Sequence, residues 1–206
     1  MLFLVTGASG VGKSTVRKSI ETAFAPALES AELGMLGSAP QWTLEWRHRM
    51  VERAVRRALE AQRAGRHFLL CGDPIPPGEV WAAPSAVQLG RLEVCLLDAN
   101  EAAQTSRLRK RGDDLTFIQH HVAFADWMRQ HVVDHRHRPE VIVQNGWSEM
   151  RWERWVGSAG ARPPWNSHVI DTSELGSNEV ATRVMEWLRR HPGFTPDPAD
   201  ANPNSS

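Results

Sequence analysis

The stretch that decides the fold of this chain is Gly7-Ala8-Ser9-Gly10-Val11-Gly12-Lys13-Ser14, which has the spacing G-x-x-x-x-G-K-S. The apolar run Leu2-Phe3-Leu4-Val5 leads directly into it and predicts a buried strand. Residues 15–24 carry apolar side chains at helical spacing and predict a helix. A strand, a glycine-rich loop and a helix in this order indicate a structured loop and not a chance match.

This octapeptide has the Walker A spacing, in which a loop wraps around the phosphates of a nucleotide. Glycines let backbone N–H groups converge on a phosphate, and the N-terminus of the next helix adds partial positive charge. Lys13 supplies a full charge for the β- and γ-phosphates, and the Ser14 hydroxyl can ligate Mg²⁺. The predicted nucleotide ligands are Gly7, Ala8, Ser9, Gly10, Val11, Gly12, Lys13, Ser14 and Thr15.

Length and composition narrow the class of protein. The 206 residues suffice for one domain with a substantial core and are marginal for two. Lys and Arg number 24 and Asp and Glu number 24, so no overall field attracts nucleic acid or a membrane surface. The two cysteines lie in apolar runs, which favours buried free thiols in a reducing compartment. We expect a cytoplasmic monomer or homodimer that binds neither nucleic acid nor membrane.

Further apolar runs alternate with helical patterns along the chain. Strands are predicted at residues 27–31, 67–71, 92–98 and 168–171, and helices at 41–63, 100–111, 118–133 and 178–190. Because strands and helices alternate, we expect an α/β domain with a parallel sheet covered on both faces. It should span residues 1–190, with a tryptophan-rich insertion at about 140–166. Residues 191–206 are rich in Pro, Asp, Asn and Ser and predict a disordered tail.

The phosphate-binding loop occurs in kinases, GTPases and ATP-driven machines, so other features must choose among these classes. An arginine-dense helical segment follows the fourth predicted strand, where small kinases place a mobile lid, and Gly112 after it suits a hinge. The sequence has no guanine-reading motif of the N-K-x-D type and no extra helical domain typical of oligomeric ATPases. These features favour a small kinase.

In these motifs the chain resembles the nucleoside-monophosphate-kinase-like group of P-loop kinases. Within that group it is most similar to the branch of shikimate kinase, gluconate kinase and chloramphenicol phosphotransferase. The resemblance covers residues 1–190 in element order and is specific at the loop, at Asp73, at the arginine cluster 107–111 and at Asp171-Thr172-Ser173. The segment around Gly72-Asp73-Pro74 and the later tryptophan-rich segment are also similar to actinobacterial proteins labelled AAA-family ATPases.

The resemblance implies a three-layer P-loop fold with a five-stranded sheet in the order 2-3-1-4-5 and a helical lid over about 105–135. It implies that Asp73 holds Mg²⁺ through water or orients the acceptor. The alternative is that this carboxylate only caps the proline-rich turn. The resemblance further implies that the loop 171–176, with Thr172 and Ser173, lies against the adenine of ATP.

The resemblance assigns the lid arginines to catalysis. They would neutralise charge on the transferred phosphoryl group, or one of them would stack on the adenine. The alternative is a solvated helix face, because Arg107 and Arg111 are one turn apart. The three candidates are Arg107, Arg109 and Arg111.

Members of this group often carry an acid on the second strand that binds or deprotonates the acceptor. Here the candidates are Glu29 and Glu32, although neither matches the D-x-D spelling of the family. Asp73 competes with them for this role. A carboxylate within hydrogen-bond reach would suffice, since phosphoryl transfer depends mainly on positioning.

The predicted acceptor lobe contains Trp42, Trp46 and Arg47. Aromatic walls suit a flat or sugar-like ligand, but the spacing of the two tryptophans also predicts a core position. Arg47 could bind an anionic acceptor or form a surface ion pair. Four more tryptophans either cap an acceptor pocket or attach the insertion to the lid; they are Trp147, Trp152, Trp155 and Trp165.

His131 and His135 have the i,i+4 spacing that helical zinc ligands use. No cysteine joins them and no third ligand is defined. We therefore expect a polar, partly exposed helix in the lid region, with zinc as the less favoured alternative.

Together these patterns favour an ATP- and Mg²⁺-dependent phosphotransferase. It would move the γ-phosphate to a hydroxyl of a small metabolite, nucleoside-like compound or antibiotic. The alternative is an ATP-binding switch that hydrolyses ATP slowly and acts through a protein partner. A nucleic-acid kinase is disfavoured by the balanced charge and the lack of a basic stripe.

Overall fold

A parallel sheet forms the centre of the computed structural model, which describes residues 1–39, 41–157, 162–192 and 194. Its strands are β1 (Leu2–Thr6), β2 (Leu28–Ala31), β3 (His67–Cys71), β4 (Leu92–Asp98) and β5 (Asn166–Asp171). They are hydrogen-bonded in the order β2-β3-β1-β4-β5, and every neighbouring pair is parallel. The predicted α/β class and the predicted order 2-3-1-4-5 are confirmed.

Helices cover both faces of this sheet. They are α1 (Lys13–Phe24), α2 (Leu33–Leu36), α3 (Leu44–Arg63), α4 (Pro77–Ala82), α5 (Glu101–Arg111), α6 (Leu115–Val133) and α7 (Ser177–Arg189). Successive side chains of a strand point to opposite faces. Leu2 and Leu4 of β1 therefore pack with α3 and α6, whereas Phe3 and Val5 pack with α1 and α7. The result is the three-layer arrangement expected of a parallel sheet.

The carboxyl ends of the strands meet at one edge, and the loops that follow them are tied together there. The hydroxyl of Thr6, at the end of β1, donates to the carbonyl of Ile75 at 2.6 Å. The backbone N–H of Thr172, after β5, donates to the carbonyl of Asp98 at the end of β4, at 2.7 Å. Ligands of open α/β sheets bind at this edge, so the functional residues should be sought there.

Two helices begin at residues other than those predicted. Helix α3 starts at Leu44, because the hydroxyl of Thr43 accepts from the N–H of Trp46 at 3.1 Å and caps the helix. Helix α6 starts at Leu115, where the carboxylate of Asp114 accepts from two N–H groups of the first turn. Trp42 therefore lies before the helix, and helical spacing does not relate it to Trp46.

The prediction of a polar, partly exposed helix at 118–133 is wrong for its second half. Trp127, Met128 and Val132 belong to the core cluster on the α3 side of the sheet. His131 is fully buried, and its ring stacks on Trp127 at a centroid distance of 4.6 Å. The apolar stripe of α6 packs on β4, and the histidine is carried into the core with it.

The described tryptophans of the insertion attach it to the rest of the domain. The indole of Trp155 is fully buried and donates to the carbonyl of Gly78 in α4 at 2.9 Å. The indole of Trp165 donates to the carbonyl of Val132 in α6 at 3.0 Å. A Cβ atom on Gly78 would lie 2.8 Å from the Trp155 ring, so α4 needs glycine at this contact. Of the two predicted roles, attachment is the one that these contacts support.

The start of the predicted tail is packed. The ring of Phe194 is buried against Phe24 and His67, with centroid distances of 4.9 and 4.5 Å. Residues 195–206 lie outside the described residues, as do 40, 158–161 and 193. Within the described ranges no helix combines the length and apolarity needed to cross a bilayer.

Candidate active site

The loop between β1 and α1 owes its shape to three glycines. Gly7, Gly10 and Gly12 have positive φ values of 142°, 88° and 97°, which favour glycine. A Cβ atom on Gly7 would overlap the carbonyl oxygen of Leu97 in β4, so this position also needs glycine for a close approach. A Cβ atom on Gly12 would meet no atom within 4 Å, because this glycine faces an open space. That space is where backbone N–H groups can meet a phosphate.

Lys13 lies at the base of this space. It is 5% exposed, and its Nζ donates to the carbonyl of Ala8 at 2.7 Å. Burial lowers the pKa of Lys13 to about 8, and the nearby carboxylate of Asp73 opposes that change. The negative charge near Lys13 does not offset the cost of burying its ammonium group, so an anionic ligand would stabilise it.

A cavity of about 320 Å³ surrounds the lysine, and we call it the loop cavity. Its lining comprises Ser9, Gly10, Gly12, Lys13, Ser14, Thr15, Gly72, Pro74 and Arg111. The two neighbours of Asp73 along the chain therefore both line it. Ser14 and Asp73, the predicted Mg²⁺ ligands, lie at this cavity and beside it, respectively. Hydroxyl and carboxylate oxygens are ligands that Mg²⁺ accepts, so the donor set fits this ion.

Asp73 follows β3 directly. One of its oxygens, Oδ2, accepts from the N–H of Leu33 at 2.7 Å, at the start of α2. Burial raises the pKa of Asp73, while the Leu33 N–H, Arg47 and Lys13 oppose the rise. The carboxylate thus joins β3 to α2 and lies among the charged groups of the site. The alternative prediction is that Asp73 only caps the proline-rich turn. The hydrogen bond observed here is instead to the first N–H group of α2.

The two predicted acids of the second strand are in different places. Glu32 follows β2 and packs against Gly72, and its Oε1 accepts from Arg17 at 3.2 Å. Glu29 lies within β2, where it is paired with Arg57 at 3.0 Å and also with Arg66. It does not line the loop cavity. The structure therefore places Glu32 next to Asp73, whereas Glu29 lies outside the loop cavity and is bound to two arginines.

The three arginines of α5 also separate. Arg111 lines the loop cavity and is paired with Asp113. Arg107 points to the other side of the loop, where it donates to the carbonyls of Thr172 at 2.5 Å and Ser173 at 3.2 Å. Arg109 is exposed and lines neither the loop cavity nor the groove beside Arg107. Of these three arginines, Arg111 lines the loop cavity with Lys13, and Arg107 lines the groove beside the loop, where stacking on the adenine is predicted for Arg107 or Arg109.

A second groove, of about 280 Å³, extends from the loop along the start of α7. It is lined by Gly10, Val11, Gly12, Arg107, Leu175, Gly176, Ser177 and Val180. Of the loop 171–176, predicted to lie against the adenine, Leu175 and Gly176 line this groove, and Thr172 and Ser173 support the loop beside it. The Thr172 hydroxyl donates to the Asp98 carbonyl at 2.8 Å, and the Ser173 hydroxyl accepts from the Asn100 N–H at 2.9 Å. The groove suits a nucleobase and ribose whose phosphates lie in the loop cavity.

One residue of this region was missed by sequence reasoning. Gln104 in α5 is 1% exposed, and its amide donates to the carbonyls of Ser9 at 2.9 Å and His121 at 3.2 Å. It therefore joins the phosphate-binding loop to α6. The available signal is its position one turn before the buried Leu108, on the same face of α5.

We predict that Gln104→Ala lowers kcat/KM for ATP about tenfold, since a lost buried hydrogen bond and a freed loop cost about 1.4 kcal/mol. The loop would lose its tether, so KM should rise more than kcat falls. Steady-state kinetics with Gln119→Ala, an exposed glutamine of α6, provides the matched control. Unchanged kinetics in the Gln104 variant would show that the tether does not position the loop.

A larger cavity, of about 410 Å³, lies on the other side of Pro74, and we call it the acceptor cavity. Its lining comprises Leu44, Arg47, His48, Pro74, Pro76, Glu79, His120, His121, Phe124, Val141, Ile142 and Gln144. Pro74 lines this cavity as well as the loop cavity. The two cavities therefore share a lining residue that directly follows Asp73 in the chain.

Arg47 and Glu79 pair at the acceptor cavity. Two nitrogens of the guanidinium donate to the two carboxylate oxygens at 2.7 Å each, and one of them also donates to the Pro74 carbonyl at 3.0 Å. The Nε2 of His48 lies 4.0 Å from Glu79. Burial lowers the pKa of both His48 and His121, so these rings are neutral at pH 7. The cavity thus holds one ion pair whose two charges compensate each other.

Of the three predicted acceptor-binding residues, only Arg47 lines the acceptor cavity. Trp42 is 72% exposed and stacks on Trp46 at 4.9 Å, and neither ring lines it. A core position is also wrong for Trp42, because the residue precedes the helix. Glu79, His48 and Phe124 were missed, since their roles depend on contacts between distant segments.

The predicted zinc alternative at His131 and His135 finds no further ligands among the described residues. In the described part of the chain, no group of three or more His, Cys, Asp or Glu side chains is arranged to hold a metal ion. His131 instead packs among the rings of Trp127, Trp155 and Trp165.

Known structures show where this architecture recurs. The chain is similar to a sugar kinase from Janibacter sp. HTCC2649, with a TM-score of 0.55 and 15% identity, covering 95% of this chain and 98% of that one. It is also similar to the tunicamycin resistance protein of Deinococcus radiodurans, with a TM-score of 0.53 and 13% identity, covering 91% and 94%. No known family model and no curated protein matches the sequence. At these identities the likeness shows the fold alone, a five-stranded parallel sheet with helices on both faces.

Proposed function

We propose that the protein is an ATP- and Mg²⁺-dependent phosphotransferase that moves the γ-phosphoryl group to a hydroxyl of a small molecule. The observation that carries this proposal is the shared wall at Pro74. The loop cavity suits a triphosphate, the acceptor cavity suits a second small molecule, and the two share Pro74, the residue after Asp73, in their lining. An enzyme that only hydrolyses ATP has no need of the second cavity.

ATP would bind across the loop cavity and the groove beside Arg107. The backbone of the loop and Lys13 would hold the phosphates, and Leu175–Ser177 would lie beside the base. Ser14 and Asp73 would hold Mg²⁺, which offsets phosphate charge when bound.

In the proposed reaction, an acceptor oxygen forms a bond to the γ-phosphorus while the bond to the β–γ bridging oxygen breaks, and ADP leaves. The acceptor proton passes to the Asp73 carboxylate, which in this step would reach Mg²⁺ only through a water molecule. Lys13 and Arg111 face the loop cavity and would offset charge on the transferred group. Glu32, next to Asp73, is the remaining candidate for the base.

The names of the two structural neighbours agree with such an acceptor. A sugar kinase acts on a hydroxyl-rich metabolite, and a tunicamycin resistance protein is named for an antibiotic. Metabolites, nucleoside-like compounds and antibiotics are therefore the classes to test.

The test is transfer of label from [γ-³²P]ATP, with Mg²⁺, to a panel of sugars, nucleosides and antibiotics. We expect a labelled organic phosphate whose mass exceeds that of its acceptor by one phosphoryl group. Label that appears only as inorganic phosphate, slowly and with every compound, would contradict the proposal and favour an ATP-binding switch that acts through a protein partner.

We also predict that kcat/KM for ATP falls as pH rises through about 8. The burial-lowered pKa of Lys13 means that the free enzyme loses this cation above that pH, and the phosphates lose their charged partner. Lys13→Arg should abolish the alkaline fall, because a guanidinium stays protonated there. A fall that persists in this variant would mean that another group titrates.

A further inference from the structure

The charges of the acceptor cavity restrict what can enter it. Among the described residues that line this cavity, Arg47 is the one member that is an Arg or a Lys. It is already bound to Glu79 through two hydrogen bonds of 2.7 Å. Glu79 is only 3% exposed. A planar guanidinium paired with a carboxylate in this manner has its charge compensated before any ligand arrives.

None of the other described lining residues is an Arg or a Lys. Part of the Arg47 guanidinium also donates to the Pro74 carbonyl, and burial lowers the pKa values of His48 and His121.

Lys13 and Arg111 act on the His121 side of the cavity, but they line the loop cavity, where the phosphates of the nucleotide would be their partners. An anionic group in the acceptor cavity would therefore find the one guanidinium of the lining already paired and would lie close to the Glu79 carboxylate, which is unfavourable in a partly buried site.

The remaining wall is apolar, with polar groups at its rim. Its apolar members are Leu44, Pro74, Pro76, Phe124, Val141 and Ile142. Gln144 and His120 are exposed members of the lining and can hydrogen-bond to a ligand. Such a wall favours contact with an apolar or aromatic body over a fully hydrated one.

We infer that the acceptor is a hydroxyl compound with an apolar or aromatic body and no anionic group on the part that enters the cavity. This inference rests on the proposed function and narrows its acceptor class. It separates glycosides with an apolar aglycone, nucleosides and neutral antibiotics from sugar acids and phosphorylated metabolites.

The test uses two matched pairs of probes that differ in one anionic group. They are p-nitrophenyl β-glucoside with p-nitrophenyl β-glucuronide, and uridine with uridine 5′-monophosphate. Binding to the wild-type protein without nucleotide is measured by calorimetry, and transfer is measured separately from [γ-³²P]ATP. We expect the neutral member of each pair to bind at least about tenfold more tightly, as expected from an unpaired charge near carboxylates.

A variant tests whether the ion pair sets this preference. Glu79→Gln keeps the size of the side chain and frees the charge of Arg47, so the ratio of neutral to anionic binding should fall about tenfold or more. Glu45→Gln is the matched control, because Glu45 is an exposed carboxylate on α3, the helix of Arg47, and it pairs with Arg49 outside the cavity. The wild-type comparison stands even if Glu79→Gln does not fold.

The outcomes distinguish this inference from the function on which it rests. Tighter binding of neutral members without transfer to any of them would support the charge preference and contradict the kinase. Equal or tighter binding of the anionic members would overturn the inference, whether or not transfer occurs. Failure of every probe to bind would overturn it too, since the cavity would not take an apolar hydroxyl compound.

Discussion

Lys13→Ala is expected to lower kcat/KM for ATP by about a thousandfold, the scale of losing a preorganised charged donor. The side chain is buried at the base of the loop cavity, and no other described Lys lines that cavity. The fold should remain stable, because the lowered pKa of Lys13 shows that burial disfavours its charged form. Removing it should leave the unfolding temperature unchanged or raise it.

Steady-state transfer and thermal unfolding measured on the same preparation would check this expectation. Lys18→Ala is the matched control, since Lys18 is an exposed residue of the same helix. Near-normal turnover in the Lys13 variant would remove the basis for assigning the loop cavity to a triphosphate.

Asp73→Asn is expected to lower kcat for transfer about a hundredfold, the lower range for loss of a general base. The amide oxygen of asparagine can still accept from the Leu33 N–H, so the bond to α2 is kept while the negative charge is lost. Nucleotide binding should change less than kcat, unless Mg²⁺ is the main partner of this carboxylate.

Two further carboxylates provide the comparison. Glu32→Gln should reduce kcat only slightly if Asp73 is the base, and Glu29→Gln should leave it unchanged, because Glu29 is paired with Arg57 and Arg66 away from both cavities. A large loss with Glu32→Gln and a small one with Asp73→Asn would reverse the assignment of the base.

The fold could be predicted because its signals are local. Leu2-Phe3-Leu4-Val5 is apolar on both faces, which only a strand covered by helices on both sides requires. The loop glycines follow it at fixed spacing. The strand order came from the resemblance to P-loop kinases, because periodicity alone says nothing about which strands are neighbours.

The acceptor side could not be predicted because its determinants are pairs distant in sequence. Glu79 and Arg47 are 32 residues apart in the sequence, and no pattern in the proline-rich segment around Glu79 predicts a buried carboxylate. Trp42 was misjudged for a different reason. The hydroxyl of Thr43 starts the helix after it, and a shift of a few residues in a helix boundary moved a large ring from the core to solvent.

The central claim is that the γ-phosphoryl group goes to a molecule in the acceptor cavity and not to water. The most direct measurement is the partition of ³²P between organic and inorganic phosphate in the wild type and in Val141→Trp, which places an indole in the cavity wall. Val133→Trp, on an exposed part of α6, is the control. We predict that only the Val141 variant loses organic phosphate while its ATP hydrolysis persists. Label found only in inorganic phosphate in the wild type, or equal transfer by both variants, would contradict the claim.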